Sequence, residues 1–438
     1  MFINLVFLLD CLAWIELIWY SIMLIMTFTG AWVTFQRFRL KTSIPAIYSN
    51  PNLLPSVSIL RPLCGIDPNL EENLESGFLQ EWPLDRLEIL LCVANSKDPA
   101  IPIAEKVIRK YPLVNARLLI GEEKVGVNPK INNLMRAYRT ARSDLLWILD
   151  SNILIQPTTL SKAVIKLLPT IPTQTRRIGL VHHVPLAILP STKHNEIHLG
   201  SLLEYCFLNG NHARQYIAIN SVAVESCIVG KSNLFLRSDL ERSTRLRNFA
   251  ERIKEDELIA LETFSQFLGE DNMIGKTLWE ELDLRHSIGD DVAGNMVGEL
   301  SLSAYIRRRV RWIRVRKYMC LAATLVEPFT ESILLGLITI LSLNRIIQNP
   351  IINSTQFIIL HLTFYFLSDY LVCISLHTNK SIHSKQISLS LFFMGWCLRE
   401  SLAFWIWFYA FFGGNSVAWR NESSKWVVLK NGEARQIN

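Results

Sequence analysis

Apolar residues are unevenly distributed along the chain, and the first long apolar run covers residues 5–33. Asp10 and Glu16 are its only formal charges, and three cations follow it in residues 37–41. A membrane span needs about 20 apolar residues. Because no cation precedes the run and it is longer than the core of a signal peptide, we predict a retained anchor in residues 1–42. Its basic flank predicts that the next domain faces the cytosol.

The C-terminal third predicts a membrane module of about three helices over residues 329–413. Its apolar runs are residues 329–343, 351–376 and 387–412. The first run is short and can be either a tilted span or a helix in the membrane interface. The runs also carry Glu331, Asp369, Arg399 and Glu400, and ionisable groups at membrane depth normally face protein or water. The adjacent Arg399 and Glu400 form either an ion pair within the protein or a site for a lipid headgroup.

Residues 43–304 have frequent charges and turn residues, which indicates a soluble domain. Short apolar segments predict strands at residues 57–60, 87–93, 116–120, 145–148 and 178–181. Helices are predicted between them at residues 71–78, 103–110, 130–141 and 160–167. This alternation predicts an α/β fold with a mostly parallel sheet and helices on both faces, and ligands at the carboxyl ends of the strands. Residues 414–438 are predicted to form a C-terminal tail.

The overall composition excludes two classes of protein. Of the 438 residues 50% are hydrophobic and 19% are charged, and the mean hydropathy of +0.23 is far from that of a disordered chain. The length excludes a small disulfide-stapled domain. The eight cysteines contain no C-x-x-C pair, which argues against a zinc knuckle, and their scatter is typical of reduced thiols in a cytosolic domain.

Much of the net charge of +6 comes from the arginine-rich residues 307–317. Nucleic acid can attract such a cluster. However, the cluster directly precedes the membrane module and is interleaved with Tyr305, Trp312 and Tyr318. We therefore predict an amphipathic helix over residues 305–328 that lies against anionic lipid, and no nucleic-acid partner.

Acidic residues follow or flank the predicted strands. Asp150 ends the strand at residues 145–148, where a carboxylate can hold a divalent cation that neutralises a nucleotide diphosphate. Asp98 follows the strand that ends at residue 93, and Asp271 leads into a helical stretch, although each of the three can instead cap a turn or a helix. No Walker P-loop or G-x-G-x-x-G motif occurs where a strand meets a helix, so phosphate must be bound in another way.

Three spaced aspartates followed by R-x-x-R-W resemble the family 2-type membrane glycosyltransferases, which have a Rossmann-like GT-A fold. The motif covers residues 308–312, and Arg308, Arg311 and Trp312 share one helical face. Within this family the chain is most similar to the ceramide glucosyltransferases, through residues 58–70, 126–134 and 150–153. Residues 269–276 and 309–318 are most similar to fungal members. The resemblance extends from the anchor to the late apolar runs.

The resemblance implies roles for five donor-side residues. Asp98 contacts the nucleotide, and Asp150 binds a divalent cation, Mg²⁺ or Mn²⁺, together with the donor diphosphate. Asp271 is the general base. Asn128 and Lys130 lie in a loop that approaches the nucleotide.

The resemblance also implies that the R-x-x-R-W motif closes over donor and acceptor. Arg308 and Arg311 then contact phosphate, and Trp312 lines the sugar or acceptor site. His212 and Cys227 match positions near the same site, although a histidine or cysteine of this kind is more often structural.

Three features depart from the family pattern. Asp150 is followed by Ser-Asn instead of completing a D-x-D motif, so metal affinity can be weaker, or Asn152 can contribute an oxygen. Residues 239–262 form a longer charged stretch than expected, and we predict an exposed helical insertion there. Asp290 and Asp291 are predicted to form a solvated turn.

The implied activity is inverting transfer of glucose from UDP-glucose to the primary hydroxyl of ceramide, giving β-glucosylceramide and UDP. UDP-galactose as donor remains open, and alternative acceptors are a sterol, a hopanoid, a polyprenyl-phosphate or a growing polysaccharide. A catalytically inactive scaffold is disfavoured because the motifs are intact, and a transporter because the membrane portion is small and shows no repeat. The expected location is the Golgi or the endoplasmic reticulum, with the catalytic domain in the cytosol.

Overall fold

The computed structural model describes residues 5–39, 54–169, 176–189, 197–247, 260–347, 353–378, 386–418 and 425–437. Its strands are β1 (Val57–Leu63), β2 (Leu87–Val93), β3 (Asn115–Ile120), β4 (Leu145–Leu149), β5 (Ile153–Leu154), β6 (Ile178–Ile188), β7 (Ser232–Leu236), β8 (Arg285–Met296), β9 (Ser416–Ala418), β10 (Lys425–Val428) and β11 (Ala434–Ile437). Its helices are α1 (Leu5–Arg39), α2 (Leu70–Phe78), α3 (Ala100–Lys110), α4 (Pro129–Thr140), α5 (Thr159–Leu167), α6 (Leu199–Cys206), α7 (Ala213–Val222), α8 (Arg237–Leu246), α9 (Glu270–Leu282), α10 (Leu302–Lys317), α11 (Leu321–Val326), α12 (Ser332–Ile346), α13 (Ser354–Leu376) and α14 (Leu389–Phe412).

The central sheet has eight strands in the order β3-β2-β1-β4-β7-β6-β8-β5. The half formed by β3, β2, β1 and β4 is parallel, as the alternation of strands and helices predicts. β7 is antiparallel to both of its neighbours, and β5 is antiparallel to β8. The sheet is therefore mixed rather than mostly parallel, because the later strands do not follow the simple alternation from which the prediction was made.

All five predicted strands and all four predicted helices are present, with ends shifted by a few residues except at β6, which is much longer than predicted. The sheet is buried between two apolar cores. One packs α2, α3 and α5 against one face, and the other packs α4, α8 and α9 against the opposite face. The predicted α/β fold class, with helices on both faces, is confirmed.

Two expectations about charged segments do not hold for the residues that the structure describes. Of the segment 239–262, residues 248–259 lie outside the described residues; in the described part α8 is helical, but Asp239 is buried against Arg177 at 2.6 Å and Leu240 lies in the core. Asp290 and Asp291 lie in β8, where Asp291 is buried and pairs with Lys162 at 2.7 Å. In each case a nearby cation compensates the buried charge, so a charged stretch alone does not predict exposure.

Three helices, α1, α13 and α14, are long and apolar enough to span a membrane. The segment Leu321–Thr330 and α12 together meet the same criterion, but they are bent by 75° where they join. The C-terminal half of α1 continues onto the α/β domain, where Arg37 donates to the Ile288 carbonyl at 2.7 Å. The predicted N-terminal apolar helix and C-terminal helical module are confirmed as candidate membrane elements.

The ionisable groups of the membrane module are paired within the protein. Arg399 contacts Glu331 at 3.1 Å and also its neighbour Glu400. Asp369 accepts from Arg214 at 2.7 Å and from the Trp396 indole at 2.8 Å. Of the two alternatives for Arg399 and Glu400, the structure therefore contains the ion pair.

The end of the chain is folded onto the α/β domain. β9, β10 and β11 form a small antiparallel sheet. Val417, Trp426 and Val428 pack there with Leu268 and partly buried Val127. Val127 precedes the loop of Asn128, and Leu268 precedes α9, so this sheet supports both sides of the candidate site described next.

Candidate functional site

The candidate site is centred on Asp150, immediately after β4. Lys130 Nζ lies 2.9 Å from Asp150 Oδ1, and Lys231 Nζ lies 3.1 Å from Asp150 Oδ2. Lys231 also donates to the Asn152 side-chain oxygen at 3.2 Å. The two lysines come from α4 and from the turn before β7, so the fold brings together residues that are far apart in sequence.

A second layer of contacts fixes Lys130. Asn128 caps α4 by accepting from the Lys130 amide at 2.8 Å, and it donates to Glu270 at 2.9 Å. Glu270 in turn pairs with Lys130 Nζ at 3.0 Å. The Asn128 side chain therefore sets the start of α4, and Glu270 at the start of α9 helps to hold the lysine beside Asp150.

Arg61 of β1 positions the backbone around Asp150. Its guanidinium is buried and donates to the carbonyls of Asp150 at 3.0 Å and Ile153 at 2.8 Å. Burial lowers the pKa of Arg61 to about 9, against the opposing charges of Asp150 and Asp67. Because the guanidinium is still protonated at neutral pH, it remains a donor and fixes the turn from which Asp150 projects.

Charge on the lysines determines the ionisation of Asp150. Burial opposes the charged form, but the Lys130 and Lys231 ammonium groups hold the pKa of Asp150 down to about 2. The two lysines respond differently. Although burial opposes its charge, the surrounding carboxylates raise the pKa of Lys130, whereas burial lowers the pKa of Lys231. The nearby guanidinium of Arg308 lowers it further.

The pKa of Asp271 is shifted in the opposite direction from that of Asp150. It lies in the first turn of α9 against Gly230, where a side chain on Gly230 would approach the Asp271 carboxyl to 2.9 Å. Burial and the neighbouring charge of Glu270 raise the pKa of Asp271 to about 7. A carboxyl group with this pKa can accept a proton at neutral pH, as a general base requires.

Asp98 holds the loop after β1. Its carboxylate accepts from the Gly65 amide at 3.0 Å and from the Ala100 amide at 2.8 Å, so it caps the start of α3. Gly65 has a φ of +68°, in the left-handed region that favours glycine. The capping alternative for Asp98 is thus realised, and its role towards a nucleotide stays a prediction.

The R-x-x-R-W motif lies on α10. Arg308 pairs with Glu204 of α6 at 2.7 Å and lies 5.0 Å from the centre of the Trp312 ring. Arg309 stacks on Phe207 at 3.6 Å. Arg311 is partly exposed on the same helix. Arg308 connects this motif to the Asp150 cluster, because its positive charge lowers the pKa of Lys231.

His212 lies beside Trp312, with ring centres 6.2 Å apart, and it stacks on Tyr216. Burial and the charge of Arg309 lower the pKa of His212 to about 3, so the ring is neutral, and its Nδ1 is buried without a hydrogen-bond partner. Cys227 packs against the same cluster, and burial raises its pKa to about 12. The thiol is therefore protonated, which suits packing better than nucleophilic chemistry.

Most of the predicted residues fall into two groups. Asn128, Lys130, Asp150 and Asp271 lie around one network, whereas Trp312 and His212 pack together beside it, and Cys227 packs on the core that contains Tyr216.

The remaining predicted residues lie outside these groups: Asp98 holds the loop after β1, and Arg308 and Arg311 lie on α10. Sequence reasoning missed the contribution of three polar residues, which are Arg61, Lys231 and Glu270. Glu270 adjoins a predicted aspartate, but nothing local in the sequence marks Lys231, because its role depends on β7 pairing with β4.

The residues around Asp150 do not fit a metal ion in the conformation described. Both carboxylate oxygens contact ammonium groups, and the Asn152 oxygen accepts from Lys231. Within the described ranges, no group of three His, Cys, Asp or Glu side chains is arranged to hold a metal. A cation at Asp150 would have to displace at least one lysine.

Comparisons with known proteins give a consistent result. A family model described as glycosyl transferase family 21 matches residues 18–262 and 260–433. A ceramide glucosyltransferase of Candida albicans is 32% identical, over 92% of this chain and 94% of its own. A ceramide glucosyltransferase of Komagataella phaffii is 34% identical, over 94% of this chain and 90% of its own.

Likeness to solved structures is weaker. A mannosyltransferase from Pyrobaculum calidifontis, solved in complex with GDP-Man and Mn²⁺, aligns with 92% of this chain and 96% of its own. The identity is 15% and the TM-score is 0.41, which is too low to transfer any feature of that site to this one.

Proposed function

The chain belongs to glycosyl transferase family 21 and is therefore a glycosyltransferase, and we propose that it transfers glucose from UDP-glucose to the primary hydroxyl of ceramide. The products are β-glucosylceramide and UDP. The fungal relatives that match more than nine-tenths of the chain support the acceptor. The observation that carries the proposal is the half-buried Asp271 at the start of α9, whose pKa is raised to about 7 by burial and Glu270 and which lies near the charge of Lys130.

The donor diphosphate binds against the cations. Lys130 and Lys231 offer ammonium groups in a partly enclosed site, and Arg308 adds positive charge next to Lys231. Diphosphate oxygens would replace Asp150 as acceptors for these groups, and charge-assisted hydrogen bonds are strong in such a setting. Asn128 keeps the loop of Lys130 in place, and Asp98 contacts the nucleotide.

Asp271 accepts the proton of the attacking hydroxyl. A primary alcohol is a poor nucleophile at neutral pH, and general-base catalysis is worth about 10²–10⁴-fold in rate. The oxygen forms a bond to the anomeric carbon while the bond from that carbon to the diphosphate breaks. One displacement inverts the α-linked donor to a β-glucoside.

Positive charge stabilises the departing UDP. The lysines and Arg308 already lie in the site, and Arg311 can approach from the same face of α10. A divalent cation, Mg²⁺ or Mn²⁺ at Asp150, stays a prediction, and it would supply further charge neutralisation of the diphosphate. Lys130 and Lys231 contact both oxygens of the Asp150 carboxylate that would bind this cation. No step of the proposed mechanism depends on the cation.

The acceptor enters from the membrane module. A small pocket lies between α10 and α14, lined by Tyr305, Arg309, Glu331, Arg399 and Trp407 among others. It adjoins the aromatic cluster of Trp312 and His212 through Phe207. Its lining mixes charged side chains with apolar ones such as Ile313 and Ile406, which suits a lipid whose head carries hydroxyl and amide groups beside apolar chains. The ceramide hydroxyl could then meet the donor without leaving the bilayer.

The proposed setting is an internal membrane of the cell. We expect the protein in the Golgi or the endoplasmic reticulum, with the catalytic domain in the cytosol where nucleotide sugars are made. The proposed division of the chain is an anchor in residues 1–42, a catalytic domain in 43–304, an interfacial region in 305–328, a membrane module in 329–413 and a tail in 414–438.

The test uses purified full-length protein in lipid nanodiscs with labelled UDP-glucose and ceramide. Wild type should yield labelled β-glucosylceramide, and Asp271→Asn should lower the turnover by about 10²–10⁴-fold. Asp283→Asn is the matched control, since Asp283 is the exposed cap at the other end of α9 and should keep normal turnover.

Parallel assays with UDP-galactose and with sterol, hopanoid and polyprenyl-phosphate acceptors decide specificity. A labelled product with one of these, and none with ceramide, would contradict the proposed acceptor. Normal turnover of Asp271→Asn with ceramide would instead show that Asp271 is not the base.

A further inference from the structure

Helix α14 has 24 residues, a length of about 36 Å, and on length and apolarity alone it would be taken as a membrane span. The contacts at its two ends do not agree with a crossing. They can be compared with the ends of α1, α12 and α13, which define the two sides of the membrane module.

The side far from the catalytic domain is defined by the start of α1. Asp10 of α1 pairs with Arg345 at the end of α12 at 2.8 Å. Asn344 contacts Ser354, the first residue of α13, at 3.2 Å. The start of α1, the end of α12 and the start of α13 therefore lie together at one side.

The opposite side is defined by the end of α1, where Arg37 reaches β8 of the catalytic domain. Thr378, just after α13, donates to the Phe38 carbonyl at 2.9 Å. Helices α1 and α13 thus run between the two sides, and the chain is back on the catalytic side when α13 ends. The shorter α12 begins beside the middle of α1, where Trp19 donates to the Phe329 carbonyl at 2.9 Å.

The start of α14 also lies near that side. Trp396 donates to Asp369 at 2.8 Å, and the Phe392 carbonyl lies 3.7 Å from the thiol of Cys206 in α6. Asp369 is in the C-terminal third of α13, and α6 leads into the catalytic domain.

The end of α14 is fixed to the catalytic side as well. Arg314 of α10 donates to the carbonyls of Gly413 at 2.8 Å and Ser416 at 2.7 Å. Lys317 donates to the Phe411 carbonyl at 2.7 Å. The sheet of β9, β10 and β11 then packs beside Leu268 and Val127, next to the donor site. A crossing helix would separate this sheet from the domain against which it packs.

Helix α14 presents an exposed apolar face along its whole length. Met394, Trp405 and Phe412 on this face are 64%, 66% and 64% exposed. The opposite, buried face is also mostly apolar, apart from Arg399 and Glu400, which are 2% and 4% exposed. An exposed apolar face of this kind fits acyl chains whether the helix crosses the membrane or lies along it, so the contacts at the two ends decide the orientation.

We propose that α14 does not cross the membrane but lies in the leaflet next to the catalytic domain, with its exposed apolar face against the acyl chains of that leaflet. The C-terminus is then on the same side as the catalytic site. This inference concerns membrane topology and does not depend on which sugar or lipid the enzyme uses.

The first test measures sidedness in sealed vesicles that contain the full-length protein. One labelling cysteine at a time is introduced as Leu113→Cys in the catalytic domain, Asn431→Cys after β10 or Asn353→Cys before α13, all exposed positions. Native cysteines that are exposed or partly exposed, at positions 11, 64, 227, 320 and 397, are replaced by serine, so that the remaining native thiols are buried. A membrane-impermeant maleimide should label positions 113 and 431 in vesicles whose catalytic domain faces outward, and neither position in vesicles of the reverse orientation. Position 353 should react only in the reverse orientation. Position 431 labelling together with position 353 would overturn the proposal.

The second test measures depth with nitroxide labels at Met394→Cys, Trp405→Cys and Phe412→Cys, read from collision with oxygen and with a water-soluble nickel complex. A crossing helix would separate the first and last labels by about 27 Å along the membrane normal. We expect all three labels within one leaflet, with the two outer labels at similar depth. A steady change of depth from one headgroup layer to the other would overturn the proposal. Because both readouts are structural, an inactive variant or a different acceptor leaves them interpretable.

Discussion

Two charge clusters lie in different parts of this molecule, one buried and one partly exposed, and the difference between them separates a structural role from a catalytic one. The membrane cluster joins Arg399 to Glu331 and Glu400. The donor cluster joins Lys130 and Lys231 to Asp150, with Asp271 nearby. Both would be costly without pairing. The membrane cluster is deeply buried, whereas the lysines and Asp150 of the donor cluster remain 15–19% exposed at their side chains.

The donor cluster contains carboxyl groups with widely separated pKa values. Lysine charge holds the pKa of Asp150 to about 2, whereas burial and Glu270 raise the pKa of Asp271 to about 7. Such a separation is typical of a site in which one carboxylate stays charged and another exchanges a proton. The membrane cluster, in contrast, joins helices of the module, so we expect its loss to affect stability and loss of donor-cluster residues to affect catalysis.

The largest expected effect is on stability. Arg399→Met should leave Glu331 and Glu400 buried without their cation, which costs about 3–5 kcal/mol in comparable sites. Thermal unfolding in detergent, followed by size-exclusion chromatography, measures the loss. Arg345→Met is the matched control, since the pair of Arg345 with Asp10 is partly exposed and should contribute less than about 1 kcal/mol. Equal loss of stability in both variants would remove the distinction between the clusters.

The next effect is on donor binding. Lys231→Met should raise the KM for UDP-glucose by about 10- to 100-fold, because a hydrogen bond to a charged group is worth about 1.5–3 kcal/mol. The KM for ceramide and the thermal stability should change little. Lys106→Met is the control, since Lys106 forms an exposed pair with Glu71 on the surface of the same domain. An equal change in both KM values would indicate a general disturbance of the site rather than a contact with the donor.

The pH dependence distinguishes Asp271 from the paired carboxylates. A base must be deprotonated, so kcat/KM should fall as the pH falls through about 7, by about tenfold between pH 8 and pH 6. Glu270→Gln removes a negative charge that raises the pKa of Asp271, and should therefore move this limb to lower pH. If the acidic limb of the pH profile does not shift in Glu270→Gln, the group that titrates is not Asp271.

The parallel half of the fold follows from sequence pattern, because β1, β2 and β4 are short apolar segments separated by helices with clear periodicity. β7 and β8 were not predicted. β8 contains His286, Asp290 and Asp291, which are polar but face partners within the protein. The hydrophobic pattern of the sequence does not show which polar residues find partners in the folded protein. A strand rich in paired polar residues therefore cannot be predicted from it.

The candidate site shows the same limit. Asp150, Asp271 and the R-x-x-R-W motif were predicted from type, spacing and resemblance, but Lys231 was not. Its Nζ reaches Asp150 only because β7 pairs with β4 and returns the chain to the end of that strand. Likewise, the side of the membrane proposed for the C-terminal sheet depends on the packing of β9 to β11 beside Leu268. This packing cannot be predicted from the apolar runs of the sequence.

The smallest effect we expect comes from removing divalent cations. Lys130 and Lys231 already supply positive charge beside Asp150, so EDTA should weaken UDP binding to wild type by less than about tenfold, or about 1.4 kcal/mol. Titration calorimetry on the full-length protein in nanodiscs, with Mg²⁺ and with EDTA, measures this directly and without turnover.

Lys231→Met sharpens the same measurement. With one ammonium group gone, the site should depend more strongly on added Mg²⁺, so the ratio of the two UDP affinities should increase relative to wild type. If wild type loses UDP binding entirely in EDTA and Lys231→Met changes nothing further, a metal ion rather than the lysine pair neutralises the diphosphate. In that case Asp150 must release both lysines when the donor binds, and the contacts of Lys130 and Lys231 with Asp150 belong to the donor-free enzyme alone.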